Sequence, residues 1–299
     1  MGTRVVTRTE ARGFHGAGTK PPGAVGVIFQ VPTDAAHAYL VRFADGVEAA
    51  LHRHELSILK EHYGEEMEAA AAHADDMELL RPFIIYRCVV GSRAYGLDDE
   101  QSDTDRRGIY LPPADLHWSL FGAPEQLEDH PNQECYWELQ KFLVMALKAN
   151  PNILECLHTP LVEHAEELAH ELLALRGVFL SRLIYKTYNG YVLSQFKKLE
   201  QDLRAKGEIK QKHAMHLIRL LRSGITALET GELVVRVPDE MRPELLAIKR
   251  GELSWEETNR LRLDLHRRFD GAFARTSLPE RPDYAAANDF LLRARRTRL

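Results

Sequence analysis

Two acidic residues separated by one position, Asp103 and Asp105, are the best candidates in this sequence for catalytic chemistry. Side chains two positions apart on a strand point to the same face, so this spacing predicts two adjacent carboxylates. Adjacent carboxylates repel each other unless a cation neutralises them. Mg²⁺ binds such oxygen ligands and keeps coordination positions open for phosphate oxygens. The pair therefore indicates a divalent-metal site, and the alternative is two ordinary acidic turn residues.

A second motif, Gly91-Ser92, directly follows a nearly continuous apolar run at 83–90, which predicts a buried strand. Glycine permits close backbone approach to a ligand, and free N–H groups at a helix start attract phosphate oxygens. The spacing matches neither the P-loop nor the dinucleotide-binding fingerprint. A strand, a Gly-Ser turn and Asp-x-Asp on a next strand at 104–111 together predict a site for a nucleoside triphosphate.

The elements that position these motifs change character along the chain. Short strands at 25–31, 39–43 and 47–51 predict a small SH3-like β module in residues 1–60, followed by a helical linker at 61–80. Residues 81–165 contain the two motifs, and residues 166–299 are almost wholly helical in pattern. Segregated strands and helices predict an α+β fold and argue against a doubly wound sheet.

Several helices are predicted from apolar periodicity and end signals. They cover 137–149, 153–157, 179–203 and 210–228, with Gly231 as a C-cap, and a capping box at Ser254-Trp255-Glu256-Glu257 begins another.

The composition bounds the class of protein. No apolar run among the 299 residues approaches the ~20 residues that a membrane-spanning helix needs, and no secretory signal begins the sequence. Three cysteines without a CxxC pair argue against a disulfide framework and a thiolate zinc site. These features predict a cytoplasmic protein with no membrane partner.

The net charge of −5 conceals two blocks of opposite sign. Residues 125–171 carry ten acidic residues against two lysines, and residues 176–222 carry eleven Lys/Arg against three acidic residues. Within the basic block, Lys212, His216 and Arg219 recur at helical spacing on one face. Such a stripe suits phosphates or an RNA end, and its alternative is a solvated helix face.

The two motifs resemble the signature of the DNA polymerase β nucleotidyltransferase superfamily. The fuller form, Gly-Ser-Arg-Ala-Tyr-Gly-Leu at 91–97 and Ser-Asp-Thr-Asp-Arg-Arg-Gly at 102–108, resembles its RNA-repair-pathway DNA polymerase β family. The resemblance covers about 81–265 and includes the Asn150-Pro151 helix stop and the segment 213–221. It implies a polymerase-β-like palm at 81–165, built on a small mixed sheet, and a helical substrate-binding domain at 166–299.

The resemblance also implies roles for individual residues. Asp103 and Asp105 would bind Mg²⁺ or Mn²⁺, and Gly91, Ser92 and Arg93 would bind the triphosphate. A third carboxylate from the next strand normally completes the metal site. We predict that Glu134 is this catalytic ligand. The alternative is that Gln133 takes the ligand position. The remaining triphosphate or acceptor contacts are assigned to Lys212, His216 and Arg219.

The implied activity is transfer of an NMP from an NTP such as ATP to an acceptor hydroxyl, with release of pyrophosphate. An RNA end is one candidate acceptor, and the β module is a candidate docking site for a protein partner. Two alternatives remain open: a transferase that modifies a protein or small molecule, and a catalytically weak nucleotide or RNA sensor.

Overall fold

The computed structural model describes residues 2–32, 34, 37–59, 61–62, 76–207 and 209–299. It divides into two compact units, one within residues 1–74 and the other within residues 75–299. We call these the N-terminal unit and the C-terminal unit.

The N-terminal unit is built on a five-stranded antiparallel sheet with the order β6-β5-β4-β1-β7. Its inward side chains, among them Val5, Ile28, Val41 and Phe43, form a separate apolar core. The strands predicted at 25–31, 39–43 and 47–51 are therefore confirmed, whereas the SH3-like character remains a prediction. The strands are β1 (Arg4–Thr7), β2 (Ala11–Arg12), β3 (Thr19–Lys20), β4 (Val25–Gln30), β5 (Tyr39–Phe43), β6 (Glu48–Leu51) and β7 (Leu56–Ile58).

Most of the helical linker predicted at 61–80 lies outside the described residues. Its last part is described and forms the short helix α1 (Asp76–Leu80).

The C-terminal unit begins with a mixed five-stranded sheet of order β10-β11-β9-β8-β12. Strand β9 runs antiparallel to β8 and parallel to β11. The strands are β8 (Ile84–Val90), β9 (Asp105–Tyr110), β10 (Gln126–Asp129), β11 (Glu134–Glu138) and β12 (Val162–Ala165). This is the small mixed sheet expected of the palm.

The described residues after Ala165 form helices and connecting segments. A large core joins them to the sheet through Phe142, Leu154, Tyr188, Leu217 and Phe269, all fully buried. The helices are α2 (Gly91–Tyr95), α3 (Ala114–Trp118), α4 (Leu139–Leu147), α5 (Pro151–His158), α6 (Glu167–Ala174), α7 (Leu183–Lys206), α8 (Gln211–Thr230), α9 (Arg242–Arg250), α10 (Trp255–Arg275) and α11 (Tyr284–Arg296). Sheet followed by helices confirms the α+β fold class.

One predicted boundary is wrong in an informative way, and one strand was not predicted. Trp137 belongs to strand β11, and the next helix begins only at Leu139, because Glu138 caps it by accepting hydrogen bonds from the N–H groups of Gln140 and Lys141. The sheet also gains a late strand, β12, which pairs with β8. Gly231 and the Ser254 capping box end and begin helices as predicted.

The basic C-terminal helix packs back onto the sheet and its helices. Its end carries three ion pairs: Arg293 with Glu171, Arg295 with Glu138, and Arg298 with Glu166, at 3.3–3.6 Å. Among the described residues, no helix is both long enough and apolar enough to cross a membrane.

Candidate functional site

Gly91 and Asp105 lie side by side at one end of the β8–β9 pair. Val90, the last residue of β8, pairs with Asp105, the first residue of β9. Gly91 has a φ of 72°, and a Cβ placed on it would lie 2.9 Å from Oδ2 of Asp105. A side chain at position 91 is therefore disfavoured both by the backbone conformation and by the carboxylate.

Asp103 lies in the loop that precedes β9, where its side chain is exposed. The prediction that both acidic residues lie on one strand is therefore wrong. Arg93 supports this loop: its Nη2 donates to the Ser102 carbonyl at 2.7 Å and its Nε to the Asp103 carbonyl at 3.3 Å. The structure thus shows Arg93 engaged with the backbone beside Asp103.

Lys249 of helix α9 holds the same loop from the helical side. Its Nζ donates to Oδ2 of Asp99 at 2.7 Å and to the Leu97 carbonyl at 3.0 Å. The hydroxyl of Ser102 donates to Oδ1 of Asp99 at 2.9 Å. The hydrogen bond from Lys249, with that from Ser102, lowers the pKa of Asp99 to about 2. A residue 150 positions away thus fixes the segment that presents Asp103.

Glu134, the predicted third carboxylate, faces away from Asp105. It pairs with Arg106 across the parallel β11–β9 contact, and side chains alternate along a strand, so it lies on the opposite face from Asp105. Its Oε2 accepts hydrogen bonds from Arg81 at 3.2 Å and from the Tyr136 hydroxyl at 2.9 Å. Glu134 and Asp105 nevertheless both border a further cavity of about 420 Å³, so the role of Glu134 as the third ligand stays a prediction.

Cys135 is the β11 residue beside Arg107 that shares the face of Asp105, as does Trp137 two positions further on. Cys135 pairs with Arg107, whose Nη2 lies 3.4 Å from Oδ1 of Asp105. Burial raises the pKa of the Cys135 thiol to about 11. Gln133 precedes the strand with a φ of 55°, and its carbonyl accepts a hydrogen bond from Arg107 at 2.9 Å. Gln133, the alternative to Glu134 as the third ligand, is thus bound to Arg107 through its backbone carbonyl.

A cleft of about 390 Å³ opens in front of Gly91 and Asp105. Its sheet side includes Arg107 and Trp137, and its helical side comes from the start of α5 and from α7 and α8. The helical residues lining it are Asn150, Pro151, Asn152, Glu155, Tyr191, His213, His216, Leu217, Arg219 and Leu220. Gly91, Asp105, His216 and Arg219 therefore line one cavity, whereas Ser92 is buried and Lys212 is exposed outside this lining.

A buried polar cluster, formed by Tyr95, Glu155 and Arg219, lines part of the same cleft. Arg219 Nη2 donates to Glu155 Oε1 at 2.8 Å, and the Tyr95 hydroxyl donates to Glu155 Oε2 at 2.6 Å. The guanidinium of Arg219 lies 3.7 Å from the Tyr95 ring centroid. Because Glu155 compensates the charge of Arg219, the arginine can remain in the core with only 6% of its surface exposed.

His216 borders this cluster as a neutral imidazole. Burial, together with the positive charges of Arg219 and Lys212, lowers its pKa to about 4. Burial likewise lowers the pKa of His213. Both histidines therefore offer uncharged rings to the cleft near neutral pH, rather than the cations that the basic stripe suggested.

The carboxylates fit a divalent ion only in part. Mg²⁺ is commonly held by one or two carboxylates and completed by phosphate oxygens and water, which Asp103 and Asp105 can satisfy. Within the described part of the chain, no group of three His, Cys, Asp or Glu residues is placed to hold a metal ion. The donor set suits an ion that substrate completes, and it does not provide a three-carboxylate site.

Several cleft residues were not singled out from the sequence. Arg107 follows Asp105 by two positions. Because side chains alternate along a strand, this spacing could have predicted that the two side chains share a face. Glu155 is a lone acid on an apolar helix, between Leu154 and Cys156. Trp137 and Tyr191 carried no local signal, because their position depends on how the helices pack on the sheet.

The mixed sheet with Gly91 beside Asp105, followed by a helical region, places the protein in the DNA polymerase β-like class. The chain belongs to the RNA repair pathway DNA polymerase beta family, which matches residues 59–293. Membership in this family is consistent with a nucleotidyltransferase. The sheet of the N-terminal unit lies before the matched residues.

The chain is also similar to a curated bacterial protein. Over 98 residues it is 35% identical to the uncharacterized protein YcgL of Bacillus subtilis (strain 168). The alignment covers 31% of this chain and 37% of YcgL, so the chain spans little more than a third of the length of this relative.

Proposed function

We propose that the protein is a metal-dependent nucleotidyltransferase that transfers an NMP from an NTP to an acceptor hydroxyl and releases pyrophosphate. An RNA end is the acceptor that the family relationship favours. The proposal rests on one observation: Gly91 and Asp105, adjacent at the strand ends, line the same 390 Å³ cleft as Arg219 and His216.

The proposed nucleotide position follows from this geometry. Absence of a side chain at Gly91 lets the triphosphate approach the backbone beside Asp105. Asp103 and Asp105 would hold a Mg²⁺ or Mn²⁺ ion, which when bound neutralises developing negative charge on the phosphates. Arg107 orients Asp105 through the contact at 3.4 Å, and the Arg93 and Lys249 contacts orient the loop that carries Asp103.

The helical wall of the cleft would bind the rest of the substrates. Arg219 lines the cleft while Glu155 holds its Nη2, so its guanidinium would attract the phosphate oxygens of the substrate. His216 is neutral and can accept or donate one hydrogen bond. Lys212, exposed at the start of α8, would meet phosphates of the acceptor from outside the cleft.

Pyrophosphate release from each of the four NTPs, with and without RNA and with Mg²⁺ or Mn²⁺, tests the proposal. Wild-type protein should release pyrophosphate, and Asp105→Asn should abolish release. Asp289→Asn changes an exposed carboxylate of α11 and serves as the matched control. Full turnover in Asp105→Asn, or no release under any condition, would refute the enzymatic role.

One observation favours a second candidate, a nucleotide or RNA sensor with weak catalysis. Strand β11 presents Cys135, not a carboxylate, to the face of Asp105. Metal-dependent NTP binding without any product would support the sensor. Transfer of the NMP to a protein or small molecule, without RNA, would instead support a transferase that modifies that kind of acceptor.

A further inference from the structure

A second, smaller pocket shares Arg219 with the cleft. Its volume is about 60 Å³, and it is lined by helix α8, the segment 234–238, Met241 and Leu245. The Val237 N–H donates to the Tyr95 carbonyl at 3.0 Å, which ties this segment to helix α2. The pocket therefore belongs to the fixed part of the C-terminal unit.

Three arginines, Arg219, Arg222 and Arg236, line this pocket, and its lining contains no acidic residue. Arg219 forms an ion pair with Glu155, and Arg222 forms one with Glu244. Neither glutamate lines the pocket. Arg236 is exposed and adds a third guanidinium at the rim. Hydroxyls of Ser223 and Thr226 complete the polar part.

Donors of two of these arginines are unsatisfied within the described residues. Nε and Nη1 of Arg219 and Nε of Arg222 are buried and make no hydrogen bond there. Arg219 is only 6% exposed, so its free donors cannot be satisfied by bulk water. An unsatisfied buried charged donor is costly, and a bound anion removes that cost.

The walls and the size of the pocket restrict the anion. Val235, Val237 and Leu245 are buried apolar residues, and apolar walls strengthen the attraction between an anion and a guanidinium. A volume of 60 Å³ holds about four waters, which is too little for a nucleotide and suits one tetrahedral oxyanion.

We propose that this pocket binds a single phosphate-type oxyanion, either free phosphate or a phosphomonoester end, through Arg219, Arg222 and Arg236. The site goes beyond the proposed transferase function and does not depend on it. Because Arg219 lines both cavities, the bound anion would also hold the guanidinium that faces the cleft.

Calorimetric titration with inorganic phosphate and with ribose 5-phosphate tests the proposal without any turnover. Wild-type protein should bind at least one of them, and Arg236→Gln and Arg222→Gln should each weaken binding about tenfold. Arg250→Gln, an exposed arginine on α9 outside the lining, should bind like wild type. Tighter binding of phosphate supports the free ion, and tighter binding of the ester supports a phosphomonoester end.

A cleft variant separates this site from the proposed nucleotide site. Arg107→Gln should retain phosphate affinity, because Arg107 lines only the cleft side. Arg236 is exposed, so its variant should fold even if Arg222→Gln does not. No binding of either probe at millimolar concentration, or binding lost in Arg107→Gln but kept in Arg236→Gln, would overturn the proposal.

Discussion

The position of a Cβ on Gly91 would be 2.9 Å from Oδ2 of Asp105, and Gly91 has a φ of 72°. Gly122 has nearly the same φ, 70°, but nothing lies within 4 Å of its Cβ position. The two glycines thus have a similar conformation, and only Gly91 borders a carboxylate.

Gly91→Ala should therefore lose much more function than stability. Both Gly91→Ala and Gly122→Ala should lower the free energy of unfolding by about 1 kcal/mol, because both place a Cβ in the left-handed region. Only Gly91→Ala should displace Asp105, with a fall in pyrophosphate release of roughly a hundredfold. Urea denaturation and turnover measure the two effects, and equal activity in both variants would contradict the role of this contact.

Glu155 should be a stability residue as well as a cleft residue. Glu155→Gln removes the charge that compensates Arg219 and should lower the free energy of unfolding by about 3 kcal/mol. Glu252→Gln, in an exposed pair with Arg250, should change it by less than about 1 kcal/mol. Urea denaturation checks both, and a similar small effect at the two sites would show that Arg219 does not need Glu155.

Lys249 should matter for the loop that carries Asp103. Lys249→Met removes the contacts to Asp99 and Leu97, so residues 97–103 should exchange amide hydrogens faster. Nucleotide affinity should fall about tenfold while global stability changes by less than about 1 kcal/mol. Hydrogen exchange and nucleotide titration measure this, with Arg250→Met as the neighbouring control. Unchanged exchange at 97–103 would contradict the assignment.

Cys135 should limit how tightly the site binds metal. Cys135→Asp would add a carboxylate on the face of Asp105 and should raise Mn²⁺ affinity roughly tenfold, because affinity grows with ligand charge. Cys135→Ser should leave it unchanged. Electron paramagnetic resonance of free Mn²⁺ measures affinity without turnover. A loss of Mn²⁺ affinity in Glu134→Gln would show instead that Glu134 reaches the ion.

His216 should make folding stability depend on pH. Its pKa is about 4 in the folded protein, below the ordinary value of 6.5, so the unfolded chain binds its proton more tightly. The contribution of His216 to the free energy of unfolding is fully present above pH 6.5, and it falls as the pH drops from 6.5 towards 4. His158, whose pKa burial also lowers to about 4, acts in the same direction. Urea denaturation at pH 7.5 and 5.0 should show a smaller loss for His216→Gln than for wild type, and equal losses would contradict the assignment.

The fold class and the Gly-Ser and Asp-x-Asp segments were accessible from sequence because they depend on local signals. Apolar run 83–90 predicted β8, and Gly231 predicted the end of α8. The residues that contact these segments could not be predicted from sequence, because contacts such as that of Lys249 with Asp99 join residues far apart along the chain.

The predicted third ligand, Glu134, lies on the opposite face of the sheet from Asp105 for a related reason. A shift of one residue in strand register reverses which side chain faces the site, and nothing local fixed the register of β11 against β9. The observed pairing of Glu134 with Arg106 directs Cys135 towards Asp105. Likewise, charge counting could not show that Arg219 is buried and neutralised by Glu155.

Transfer of labelled phosphate from NTP to RNA tests the central claim most directly. With wild-type protein, label at the α-phosphate should appear in the RNA and label at the γ-phosphate should appear in pyrophosphate. Asp289→Asn should behave in the same way, and Asp105→Asn should give neither product. Transfer of the γ-label to the acceptor, or α-label transfer that survives Asp105→Asn, would contradict a nucleotidyltransferase site at Gly91 and Asp105.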